Sequence, residues 1–230
     1  MKYLIPFILL SMSVGLLACG ILLWKRRKEP EGSSRTILAG VCGLAALMSV
    51  LYLFRTWQGT LPTDGCLLQP EHALAPVLWL MCLLPYPLSL MQPIGSKSSL
   101  WLQLLALPVV LSIVGYCGGI AYVPLHSLEE LCRQVGEANV WFRLVVLVAA
   151  PFYAFGLCLV RLDWRHTAIS RGFLCIYAAC LCLIGLLQLG VLLTLSQGLY
   201  LLQCVVWMLF LFGLTWYELC ERLWVRRGEL

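Results

Sequence analysis

Residues 3–28 read YLIPFILLSMSVGLLACGILLWKRRK. No formal charge occurs between Tyr3 and Trp24, and four cations then follow in a row: Lys25, Arg26, Arg27 and Lys28. An α-helix rises about 1.5 Å per residue, so about 20 apolar residues cross a hydrocarbon core of about 30 Å. A run of this length closed by a basic cluster is the pattern of a membrane helix. Its C-terminal end lies in the cytoplasm, where Lys and Arg concentrate.

Leu16-Leu17-Ala18-Cys19 has the look of a lipoprotein cleavage box, and residues 1–20 that of a secretory signal. A cleaved signal carries its charge before the apolar core and polar residues after the cut. Here the larger charge follows the core, and apolar sequence continues through Trp24. The run therefore reads as a retained helix.

The rest of the chain repeats the theme. Further apolar runs occupy 36–54, 74–91, 100–122, 140–160, 172–195 and 199–217, which with 3–24 makes seven. The whole chain of 230 residues is 61% hydrophobic and 12% charged, with a mean hydropathy of +0.90. Soluble domains carry about 45–50% apolar and about 25% charged residues, so lipid is the natural solvent for this chain. The runs are apolar on all faces and lack strict alternation, which selects helices over a membrane β-barrel. The fold class expected is an all-α membrane protein. It is a bundle of seven transmembrane helices over 1–217, with a basic helical tail at 218–230.

Loop charges set the expected orientation. With the N-terminus outside, the cytoplasmic segments 25–35, 92–99, 161–171 and 218–230 hold twelve of the 16 Lys and Arg residues. That bias places the C-terminus in the cytoplasm. Arg143 is the only formal charge inside the seven runs. Proton relays and coupled ion pathways need ionisable groups within the bundle. Intramembrane hydrolysis needs a placed nucleophile, carboxylate pair or metal. Neither pattern is present, so an enzyme is not expected, nor is a cofactor or metal. The twelve cysteines act mostly as small apolar residues within the runs.

A few residues stand out against this background. Pro85 and Pro87 remove backbone donors and should break or kink the third run. Cys66 and Cys132 fall in the two longest outer loops; they read either as a disulfide tying those loops together or as two free thiols. Gln188 and Gln203 lie at similar depth in the last two runs, joined by the tight link Ser196-Gln197-Gly198. They read as a hydrogen-bonded pair or, with Trp79, Tyr116, Tyr200 and Trp207, as the lining of a ligand pocket open to the outside. An interfacial aromatic belt is the simpler reading of the rings. Ala39-x-x-x-Gly43 and Gly115-x-x-x-Gly119 offer small faces for close helix packing, within the chain or in a dimer.

Beyond the last run, residues 215–227 contain no Pro or Gly, and Glu218 and Arg222 stand four apart in the favourable order. Arg222, Arg226 and Arg227 read as a lipid-headgroup anchor, as do Lys25, Arg26, Arg27 and Lys28. The other reading of 215–227 is a signalling stalk. Seven helices, an outside N-terminus, small outer loops and this continuing basic helix resemble the membrane input region of bacterial sensor kinases and of membrane-anchored regulators of the AraC type. The resemblance covers the whole chain at the level of topology and carries no diagnostic motif. It implies a bacterial inner-membrane location and a parent chain that continues past Leu230 into a cytoplasmic output part. The helix-turn-helix of that family is absent from these residues, so direct nucleic-acid binding is not expected.

The function expected is a sensor or receptor-like module, passing an outer-face or lipid-phase signal through the last helix to a cytoplasmic output. Its partners would be the bilayer, a second copy or another membrane protein, and an output domain or protein. A non-catalytic structural or assembly subunit is the second reading, and a small transporter of an uncharged solute the third. Reporter fusions after residues 28, 97, 166 and 230 should all report the cytoplasm, and fusions after 58 and 134 the opposite side. Fusions after 28 and 230 that report opposite sides contradict the odd number of crossings.

Overall fold

The computed structural model describes residues 3–28, 32–58, 74–83, 85–90, 128–138, 140, 171–194 and 196–221. All regular structure among them is helical: α1 (Leu4–Lys25), α2 (Gly32–Trp57), α3 (Leu74–Leu83), α4 (Pro85–Leu90), α5 (Leu128–Gln134), α6 (Arg171–Thr194) and α7 (Gln197–Trp216). A π-helical turn, Tyr217–Glu221, continues α7. Among the described residues, four helices are long and apolar enough to cross a membrane: Leu4–Lys25, Gly32–Trp57, Gly172–Val191 and Gln197–Cys220. They correspond to the runs 3–24, 36–54, 172–195 and 199–217, and the molecule has the makings of an all-α, multi-pass integral membrane protein. The runs 100–122 and, beyond Val140, 140–160 lie outside the described residues.

The chain divides into two compact units. Met1–Thr63 with Arg171–Leu230 makes one, and Asp64–Ser170 the other. In the first, α1 packs on α2 and on α7, and α7 packs on α6. Directions follow from the contacts. A Cβ placed on Gly15 would lie 2.6 Å from the Phe212 ring, and Arg26 Nη1 donates to the Leu219 carbonyl at 3.4 Å, so α1 and α7 run parallel. Arg35 meets Glu218 and Tyr52 meets Tyr200, ring centroids 6.0 Å apart, so α2 runs antiparallel to α7. Phe173 stacks on Tyr217 at 4.0 Å and the tilted rings of Tyr177 and Phe210 meet at 5.4 Å, so α6 is antiparallel as well. One end of the unit gathers Lys25–Lys28, Arg35, Phe173 and the π-helical turn. The other gathers Tyr3, Tyr52, Trp57, Thr194 and Ser196.

The α1–α2 contact shows why small residues matter in lipid. Lipid tails match leucine side chains in polarity, so helices associate through close packing. A Cβ on Gly20 would stand 3.4 Å from the Ala39 carbonyl oxygen, 3.7 Å from the Cys42 Cβ and 3.8 Å from the Gly43 nitrogen. The Ala39-x-x-x-Gly43 face is thus occupied inside the unit. Gly32 is tighter still, since a Cβ there would overlap the Arg27 backbone carbonyl. Buried Leu38, Cys42, Ala45, Ser49 and Tyr52 recur at three- and four-residue steps along α2, giving it a single inward stripe. Ser13, Ser49 and Thr215, all buried, each donate to a carbonyl of their own helix, which meets the rule that polar groups in lipid be satisfied internally.

The outward faces are apolar too. Phe7 is 68% exposed, and Leu10, Val14, Leu17 and Ile21 continue its stripe along α1. Contiguous faces of this kind are untenable in water and ordinary in hydrocarbon. Exposed aromatics bracket them: Trp24 and Trp216 near the basic end, Tyr3 and Trp57 at the other. Tyr3 and Trp24 stand 21 helical steps apart, about 32 Å, which matches a hydrocarbon core with an aromatic girdle at each face.

In the second unit the run 74–91 forms two short helices, α3 of 10 residues and α4 of 6 residues. Pro85 opens α4 and Pro87 falls within its first turn, where backbone N–H groups have no helical acceptor and proline is tolerated. Trp79, Cys82 and Tyr86 are buried there. α5 places Glu129 and Glu130 in its first turn and Arg133 in its last, the order that suits the helix dipole.

Gly20→Ala should fold with stability close to the parent, because its methyl meets ordinary contacts. Gly20→Ile should lower stability by about 1–3 kcal/mol through overpacking, read by denaturation in detergent micelles. Equal stability of the isoleucine variant contradicts the close α1–α2 approach.

Candidate functional site

The sequence reading puts Arg35 in a cytoplasmic segment and Glu218 at the start of the helical tail, four residues before Arg222, and the structure brings the two together. α2 begins at Gly32 rather than at residue 36, so Arg35 lies in its first turn. α7 does not simply continue as a regular helix but widens into the π-helical turn at Tyr217, and Glu218 lies in that turn. Arg35 is 2% exposed and Glu218 0%. The Arg35 Nε lies 3.8 Å from Glu218 Oε2. Arg35 Nη2 donates to the Glu218 carbonyl at 3.2 Å, and Arg35 Nη1 to the Arg26 carbonyl at 3.3 Å. Arg26 in turn donates to the carbonyl of Leu219.

One guanidinium thus joins three helices. Its own position is unfavourable on one count, since a cation in the first turn of α2 faces the positive end of that helix dipole. The effect is about 0.3–1 kcal/mol. The last carbonyls of α1 carry the opposite partial charge and need donors, and the Glu218 carbonyl accepts from the same guanidinium. The planar fork of Arg supplies several N–H groups in fixed directions, which Lys cannot do. An uncompensated buried charge costs several kcal/mol, far more than the dipole term, so the carboxylate and carbonyls decide the outcome. Stacking of Phe173 on Tyr217 at 4.0 Å and 20° fastens the same turn to α6. Around this core the basic rim lies open. Lys25, Arg26 and Lys28 are exposed, and the Arg27 guanidinium covers the Trp24 ring at 3.8 Å. Arg222, Arg226 and Arg227 lie outside the described residues.

A second polar node sits deeper. The Thr215 hydroxyl lies within hydrogen-bonding reach of the thiols of Cys19 and Cys42, so α1, α2 and α7 meet there also. Among the described residues no group of three or more His, Cys, Asp or Glu side chains is placed to hold a metal ion.

Of the residues singled out as a ligand pocket, Gln188, Tyr200, Gln203 and Trp207 lie in the first unit. Tyr200 sets its ring edge-on against Tyr52, and its buried hydroxyl makes no hydrogen bond among the described residues. Trp207 is 7% exposed and packs edge-on against Phe210, so it belongs to the interior of the unit. Gln188 and Gln203 are half-buried on neighbouring helices α6 and α7. The link between those helices is shorter than Ser196-Gln197-Gly198, because α7 already begins at Gln197. Trp79 lies in the second unit, and Tyr116 outside the described residues. Cys132 is exposed with a free thiol; Cys66 lies outside the described residues.

Removing the guanidinium, as in Arg35→Ala, takes the charge partner from Glu218 and the donor from the carbonyls of Arg26 and Glu218, and should lower stability by about 3–5 kcal/mol. Replacing both at once with Arg35→Met and Glu218→Leu should recover most of that loss, as seen by denaturant titration in micelles. An Arg35→Ala variant within about 0.5 kcal/mol of the parent, the ordinary range for surface changes, contradicts the buried pairing.

The chain matches no protein-family model, no curated protein and no solved structure.

Proposed function

We propose that this chain is a receptor-like membrane module in which α7 carries a signal from the outer face, or from the lipid phase, to a cytoplasmic output. The observation that carries the reading is the course of α7. It starts at the Tyr52–Tyr200 contact, runs parallel to α1, and ends in a turn held by Arg35 from α2. A helix tied at both ends to the same neighbour is suited to convert a rearrangement at one end into one at the other. Two arrangements must exist, and a ligand biases them only through its differential affinity.

The seven-crossing topology with an outside N-terminus belongs to this proposal, and so does the inner-membrane location. Support comes from the basic end of the first unit, where Lys25–Lys28 and Arg35 gather as the positive-inside rule requires. Tyr3 and Glu221 lie at opposite ends of that unit, as an odd number of crossings demands. The likeness to sensor-kinase and AraC-type input regions points the same way. The assembly-subunit reading loses one of its supports, because the Ala39–Gly43 face is filled by α1. Truncation after residue 217 would remove Glu218 and with it the ion pair to Arg35, so it disturbs the bundle as well as any output.

A cleaner test perturbs the far end and reads the near one. A trifluoromethylphenylalanine at position 224 in the full chain, reconstituted in lipid vesicles, reports the basic end by fluorine NMR. Tyr200→Ala should shift or broaden that resonance, while Leu186→Ala, on an exposed face of α6, should leave it unchanged. An identical spectrum in both variants refutes transmission along α7.

A further inference from the structure

We propose that the Arg35–Glu218 contact is a latch on a helical switch: it holds Tyr217–Glu221 in the π-helical form, and its release lets the turn become α-helical and rotates the chain beyond it. The proposal deepens the reading of α7 as the transmitting element and rests on it. A π-helical turn is rare and accommodates one residue more than an α-helical turn. Such a turn persists where surrounding contacts favour it. Here those contacts are specific: the carboxylate and carbonyl of Glu218 on Arg35, the Leu219 carbonyl on Arg26, and Tyr217 on Phe173. They come from α2, from the end of α1 and from α6, so three neighbours act on five residues.

Relaxation of the turn to α-helical hydrogen bonding has a defined consequence. It advances everything downstream by one residue's rotation, roughly 100° about the helix axis. Glu218 lies inside the turn that must repack, so its carboxylate and carbonyl contacts with Arg35 oppose the change and their loss favours it. The α1–α2 contact at Gly20, Ala39, Cys42 and Gly43 involves none of the latch residues, so the hairpin can remain packed while the turn changes. A charge pair joining residues 183 positions apart in sequence thereby governs the angle at which the chain leaves the membrane.

Hydrogen–deuterium exchange of the full chain in phosphatidylcholine vesicles tests this. In the parent, amides 217–221 should open by a sub-global route, exchanging faster than those of 36–50 by about tenfold or more. In Glu218→Gln the exchange pattern of 217–221 should change by about tenfold while 36–50 stays within about twofold. Glu218→Asp, which keeps the charge, should fall between the two. An unchanged turn in Glu218→Gln overturns the latch. So does an equal rise in both segments, or loss of the folded protein, since either makes the pair a support of the whole bundle. This readout is independent of transmission from Tyr200: a failed latch leaves that coupling open to its own test, and the reverse holds.

Discussion

Hydrocarbon offers no hydrogen bonds, and every polar group within it must find a partner in the protein. The ends of helices are where this demand is hardest to meet, because four carbonyls at each C-terminus lack intrahelical donors. The Arg35 guanidinium answers it at the end of α1 and engages the turn after α7 as well. By donating to the carbonyls of Arg26 and Glu218 it fastens the end of α1 to the end of α7 from the first turn of α2. Its charge is balanced in the same place by the Glu218 carboxylate. Remove that group and three helix ends lose a common partner.

The rest of the first unit is consistent with this anchoring. Gly20 allows α1 and α2 to approach closely, Thr215 bridges toward Cys19 and Cys42, and Tyr52 meets Tyr200 at the far end. Inward stripes are continuous with the contact faces, and outward stripes are left to lipid. Exposed aromatics at both ends mark a thickness that suits a bilayer. Order of this kind, tight along the helices and formally charged only near their ends, leaves the basic end as the place where small changes of contact have large geometric effect.

Much of this was legible from residues alone. Hydropathy locates α1, α2, α6 and α7 to within a few positions, because a run of twenty apolar side chains has few other fates. The Ala39–Gly43 face was readable for the same reason that glycine is useful in lipid. The central pair was not. Charges mark the edges of apolar runs, so Arg35 and Glu218 fall just outside the spans that hydropathy draws. Glu218 also has a tempting local partner in Arg222, four residues on. A signal did exist: opposite charges at the same depth on antiparallel neighbours, in a stretch with no Pro or Gly to end the helix. Only the fold, which brings the first turn of α2 to the turn after α7, makes that signal decisive. For the pocket, side-chain type was readable but direction was not, and Tyr200 and Trp207 turn inward to other rings.

The central claim is that Arg35 and Glu218 touch in the bilayer. Magic-angle-spinning NMR on protein labelled with nitrogen-15 in arginine and carbon-13 in glutamate measures it directly in vesicles. The account predicts a side-chain dipolar contact at about 4 Å, the separation of a close ion pair, that disappears in Glu218→Gln. A spectrum in which no arginine–glutamate contact responds to that substitution contradicts it.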